Sequence, residues 1–125
     1  MRIFKYKRFF QFAKKEHIEN EDLRDIVSIL EKGQFDADLG GGVFKMRLAR
    51  SGEGKSSGYR VMVFFKSGER TFFVHGFAKS ETANISKKEL VGLKKLAKIL
   101  FAMTDIQIQD ALKKGILEEI KEDKQ

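Results

Sequence analysis

The sequence predicts an α+β fold in which two N-terminal helices precede a curved antiparallel sheet of about three to four strands and C-terminal helices follow it. Three observations carry this reading. Apolar residues recur at spacings of three and four near both ends, they alternate with a period of two in the middle, and glycine-rich turns separate these stretches. A chain of 125 residues with 42% hydrophobic residues can bury a real core, and one domain over residues 1–125 is expected.

The elements follow in order. Phe9, Phe10, Phe12 and Ala13 with Lys14, Lys15 and Glu16 make a short amphipathic helix. Asn20 is the expected N-cap of a second, where Glu21 and Asp22 sit at the positive end of the helix dipole. Leu23, Ile26, Val27 and Leu30 form its apolar face, and Gly33 follows as the C′ residue. Asp36-Ala37-Asp38-Leu39-Gly40-Gly41-Gly42 ends the helical pattern. Phe44, Met46 and Leu48 then alternate with Lys45 and Arg47, as a half-buried strand requires. A Gly/Ser-rich loop over 51–58 leads into Tyr59-Arg60-Val61-Met62-Val63-Phe64-Phe65, apolar on both faces and so central in the sheet. Lys66-Ser67-Gly68-Glu69 turns the chain into a third strand, Arg70 to Phe77. Ser86 with Glu89 and Thr104 with Gln107 are capping-box signatures that open two further helices. Leu90, Leu93, Leu96, Ala97 and Leu100 form the stripe of the first, and Gly115 should stop the second. The tail from Ile116 to Gln125 is charged after Ile120 and is expected to fray at its end.

Composition excludes several classes. No apolar run approaches the roughly 20 residues of a membrane-spanning helix, and charge breaks the opening Met1-Arg2-Ile3-Phe4-Lys5 too early for a secretory segment. With no cysteine there is no disulfide framework and no thiolate metal site, which suits a reducing cytoplasm. The net charge of +7 is concentrated: residues 43–79 carry eight basic and two acidic groups, so +6 lies in one central third. A basic surface of that density suits a polyanion, while a solvated face kept for solubility is the alternative.

Ala49-Arg50-Ser51-Gly52-Glu53-Gly54-Lys55-Ser56 satisfies a relaxed P-loop pattern. A P-loop must open a helix so that its amides and the helix dipole face phosphate, and this segment runs into a strand. It reads as a hairpin loop that carries Lys55. Lys45 and Arg47 share a strand face, Arg60 begins the next strand, and Lys79 closes the one after. Such cations can hold a phosphodiester and stabilise the charge of its transition state. With RNA the 2′-hydroxyl can be the nucleophile, so neither metal nor cofactor is expected. His75, among Phe73, Val74 and Phe77, is either packed or a proton-transfer group, and His17 is read as a helix-end residue. Asp36 and Asp38 lack a partner histidine or third ligand. Most of the twelve phenylalanines belong to the core, and Tyr59 beside Arg60 is the best base-stacking candidate.

Four segments together resemble the RelE/HigB-type toxins of bacterial type II toxin–antitoxin systems, within the RelE/ParE superfamily. They are Asp38-Leu39-Gly40-Gly41-Gly42-Val43-Phe44-Lys45, Arg47-Leu48-Ala49-Arg50, Gly52-Glu53-Gly54-Lys55-Ser56-Ser57-Gly58-Tyr59-Arg60, and Gly76-Phe77-Ala78-Lys79-Ser80-Glu81 with Asn84-Ile85 and Glu89-Leu90. The resemblance implies a RelE/ParE-like fold and a cytoplasmic endoribonuclease that cleaves messenger RNA on the ribosome and is neutralised by a small antitoxin of helix-turn-helix type. Arg60 and Lys79 would then hold the scissile phosphate, while Lys45 and Arg47 would orient RNA and assist proton transfer. Arg50, Lys55 and Tyr59 would contact RNA or the ribosome. Some RelE proteins use a C-terminal tyrosine, and Ile85 stands near that place here, which leaves His75 as a secondary proton-transfer candidate. The alternatives are a ParE-like gyrase poison and a noncatalytic nucleic-acid-binding module.

Overall fold

The computed structural model describes residues 1–49, 58–78 and 85–121. Its elements in chain order are β1 (Ile3–Tyr6), α1 (Lys7–Lys15), α2 (Asn20–Glu31), β2 (Ala37–Asp38), β3 (Val43–Leu48), β4 (Tyr59–Phe64), β5 (Thr71–Ala78), α3 (Lys87–Phe101), α4 (Asp105–Lys113) and β6 (Leu117–Ile120). The three expected strands are consecutive and antiparallel, with β4 between β3 and β5. Burial of both faces of β4 explains why its sequence is apolar without alternation.

The sheet is nevertheless larger than the expected three to four strands. Among the described residues it has six, in the order β2-β3-β4-β5-β1-β6, and it is mixed because β1 runs parallel to β5. The start of the tail supplies β6, whose Ile120 pairs with Ile3 and whose Leu117 pairs with Tyr6, while its charged end, residues 122–125, lies outside the described residues. Each terminal strand has only four residues, too few for a period of two to declare itself. Their pairing is fixed by contacts across the whole chain. Arg2 holds this edge with a fork onto Glu119, Nε to Oε2 and Nη2 to Oε1, both 2.9 Å.

Local chemistry sets the helix ends. Glu89 N–H donates to Ser86 Oγ and Gln107 N–H to Thr104 Oγ1, each at 3.1 Å, and both boxes are reciprocated. Gly33 and Gly115 follow α2 and α4 with positive φ, as expected. The N-cap of α2 is Glu19, not Asn20. Asn20 is the first helical residue because its side-chain oxygen is used elsewhere, accepting from Lys5 Nζ at 2.9 Å. Lys5 also pairs with Glu118 at 3.0 Å, which satisfies a buried ammonium between α2 and β6.

Two hydrophobic layers enclose the sheet. Met46, Leu48, Val61, Val63 and Phe73 face Phe9 and Ala13 of α1 and Leu23, Ile26, Val27 and Leu30 of α2. Val43, Met62, Phe64, Phe72 and Val74 face Ala97 and Leu100 of α3 and Ile108 and Ala111 of α4. Gly76 is needed in the first layer, since a Cβ there would land in the Phe12 ring. A bulge where Met62 faces His75 and Val63 faces Phe73 displaces Val74 from the ladder. Beyond it, His75 and Phe77 oppose Met62 and Arg60 and share their face.

Candidate nucleic-acid interface

The register of β3 and β4 places Arg47 directly opposite Arg60, and Lys45 lies two residues along from Arg47 on the same face. Like charges directly opposite one another destabilise a sheet, by about 0.2–1 kcal/mol, unless an anion intervenes. Asp36, just before β2, supplies it. Arg47 Nε donates to Asp36 Oδ1 at 2.9 Å, while Arg60 Nε and Lys45 Nζ approach Oδ2 at 3.8 and 3.7 Å. Among the described residues, three cations around one carboxylate leave a local excess of two positive charges. Depth differs within the group: the Arg60 side chain is 11% exposed, Lys45 25% and Arg47 52%.

The structure therefore brings together three of the four cations named for phosphate chemistry. Lys79, the fourth, lies outside the described residues, as do Arg50, Lys55 and the rest of the P-loop-like segment after Ala49. Tyr59 requires a correction as a stacking platform. It is only 4% exposed, its ring stands edge-on to Phe12 at 5.5 Å, and its hydroxyl donates to Glu16 Oε1 at 2.7 Å. As the residue opposite Leu48 in β4 it faces α1, away from Arg60, because neighbours on a strand point to opposite faces.

His75 lies along the same face as Arg60, beside a cleft of about 290 Å³ that Tyr6, Arg8, Ile85 and Glu89 help to line. Burial pushes its pKa below the ordinary histidine value, Arg8 adds to the shift, and Glu89 opposes it. The imidazole is thus held neutral near pH 7, the form that accepts a proton. A larger concavity of about 800 Å³ lies between α3 and α4 and includes Ile99, Met103, Ile106 and Ile116. It is mainly apolar and includes none of the central cations, so it is unsuited to phosphate.

Asp36 is the site residue that sequence reading missed. It stands among turn formers, outside the segment in which the positive excess was counted, and only the pairing of Ala37 with Lys45 carries it to the cations. The family model for the RelE toxin of the RelE / RelB toxin-antitoxin system matches residues 1–120. The chain belongs to the RelE toxin family. A RelE toxin is the toxic half of a toxin–antitoxin pair, so a cognate antitoxin is its partner. The RelE match covers β1 through β6, including the short strands β1, β2 and β6 that local pattern did not reveal. No curated protein matches the chain. No helix among the described residues of this RelE toxin is long and apolar enough to cross a membrane.

Proposed function

We propose that this toxin is an endoribonuclease that cleaves messenger RNA presented by the ribosome and needs no metal or cofactor. The observation that carries the reading is the convergence of Lys45, Arg47 and Arg60 on one sheet face. Guanidinium and ammonium donors in a partly desolvated place bind a phosphodiester and stabilise the charge it gains in a pentavalent transition state. The RNA itself supplies the nucleophile. The 2′-hydroxyl gives up its proton and its oxygen bonds to phosphorus as the bond to the 5′-oxygen breaks; that oxygen takes a proton from a neighbouring cation or from water, leaving a 2′,3′-cyclic phosphate and a 5′-hydroxyl.

Arg60, the deepest of the three described cations, holds a non-bridging oxygen together with Lys79, while Lys45 and Arg47 orient the strand and assist proton transfer. His75, kept neutral by burial, accepts the 2′-hydroxyl proton if the message extends along β5. A cytoplasmic setting follows from a ribosome-bound substrate, and an antitoxin of the helix-turn-helix type fits the RelE pairing. The test is to incubate purified protein with free and with ribosome-bound message, with and without a chelator. Cleavage of the ribosome-bound message with cyclic-phosphate ends, unchanged by chelation, is expected. Intact message under both conditions overturns the reading, as does loss of cleavage on chelation for the metal-free mechanism. DNA damage without message cleavage identifies a gyrase poison, and salt-sensitive RNA binding without products identifies a noncatalytic module.

A further inference from the structure

Phosphate is held by cations, yet the carboxylate of Asp36 occupies the centre of this group. We infer that Asp36 is a positioning residue: it gathers Lys45, Arg47 and Arg60 into one phosphate site and fixes the direction of their donors. The inference rests on the ribonuclease reading for its effect on rate, while its effect on RNA binding can be read separately.

Four observations support it. Arg47 and Arg60 are cross-strand partners whose charges repel, and Asp36 contacts both through Nε, at 2.9 and 3.8 Å. A guanidinium meets phosphate best with two parallel N–H groups, and the Nη1/Nη2 fork of Arg47 is not the edge spent on Asp36. The carboxylate thus turns the side chain without occupying that fork. Asp36 is itself anchored, because its backbone N–H donates to the Lys45 carbonyl at 3.1 Å and the next two residues pair with Lys45 and Phe44. Finally, its side chain is 15% exposed against 52% for Arg47, so the carboxylate lies behind the guanidinium it directs.

An incoming phosphate adds negative charge where Asp36 already supplies some. The carboxylate should therefore weaken RNA binding while improving the placement of the scissile group, which separates affinity from rate. The full chain is compared with Asp36→Asn and Asp36→Glu in two assays. One follows binding of a short fluorescent single-stranded RNA over a series of salt concentrations; the other gives kcat, KM and the pH–rate profile for ribosome-bound message. Asp36→Asn is expected to bind RNA at least as tightly as wild type, with a plot of log affinity against log salt steeper by about 0.7. Its kcat should fall about 10- to 100-fold with the pH profile unchanged, and Asp36→Glu should lie between the two. Unchanged kcat in Asp36→Asn overturns the proposal. So does a parallel loss of kcat and RNA affinity, or the disappearance of one limb of the pH profile, which would make Asp36 a general base. If Asp36→Asn does not fold, Asp36→Glu decides: lower kcat at unchanged RNA affinity supports positioning, and wild-type kcat refutes it. If wild type binds RNA without cutting it, the ribonuclease reading fails, and the inference is then judged on the salt slope: a steeper slope in Asp36→Asn sustains it and an equal slope overturns it.

Discussion

Lys66 and Arg70 belong to the same basic third of the chain as Lys45, Arg47 and Arg60, but the two groups have different surroundings. Lys66 and Arg70 flank the β4–β5 turn. Lys66 lies 4.7 Å from the centre of the Phe101 ring, and Arg70 donates to the Met103 carbonyl and to Asp105, so both fasten the end of α3 and the start of α4 to the sheet. At the other group the counter-ion among the described residues is a single carboxylate shared by three cations. The difference teaches how to read a charge count. A cation matched to a local carbonyl or ring is part of the scaffold, whereas several cations sharing one anion retain charge for a ligand.

The largest effect should come from exchanging one arginine of each group for alanine. Arg60→Ala is expected to reduce message cleavage about 10²-fold or more, in line with loss of one transition-state donor. Arg70→Ala should cleave normally and lose about 1 kcal/mol of stability in denaturant unfolding, since its contact to exposed Asp105 is weak. Lys114→Ala, which removes only an exposed pair with Asp110, should change neither quantity. Equal cleavage by Arg60→Ala and Arg70→Ala would erase the distinction.

The opposite face of β5 offers a second contrast, of smaller size in rate but clear in stability. Gly76→Ala must push Phe12 aside, and a loss of about 1–3 kcal/mol is expected from urea titration. Message cleavage per folded molecule should persist, because the cation face is untouched. Loss of activity with unchanged stability would show that the two faces are not separable.

The smallest effect concerns His75, between these regions. Its folded pKa is lowered, so below about 6.5 the unfolded chain binds more protons than the native one. Stability from keeping the imidazole neutral is complete above that value and is lost as pH falls towards the folded pKa. Melting temperature should thus drop more between pH 7.5 and 5.5, by about a degree or two, for wild type than for His75→Gln. Parallel curves would remove burial as a feature of this histidine.

Much of the fold is legible from the chain because its signals are local. The stripes of α2 and α3, the capping boxes at Ser86 and Thr104, the glycines after α2 and α4, and the alternation in β3 each depend on residues a few positions apart. The basic strands were legible for the same reason, since a period of two places Lys45 and Arg47 together before any partner strand is known. Tyr59 was misread because adjacency to Arg60 in sequence means opposite faces in a strand. The strands β1 and β6 were missed because four residues give no periodicity and their partners are far along the chain.

By itself, then, the sequence determined the order of helices and central strands, the buried character of β4, the family resemblance and the concentration of positive charge, all of which follow from near-neighbour chemistry. Only the tertiary structure decided which cations meet. That outcome depends on strand register, on the short β2 pairing that carries Asp36 to β3, and on helix packing that spends Lys66 and Arg70 elsewhere. Coulomb interactions act through distance in space, and the fold sets that distance.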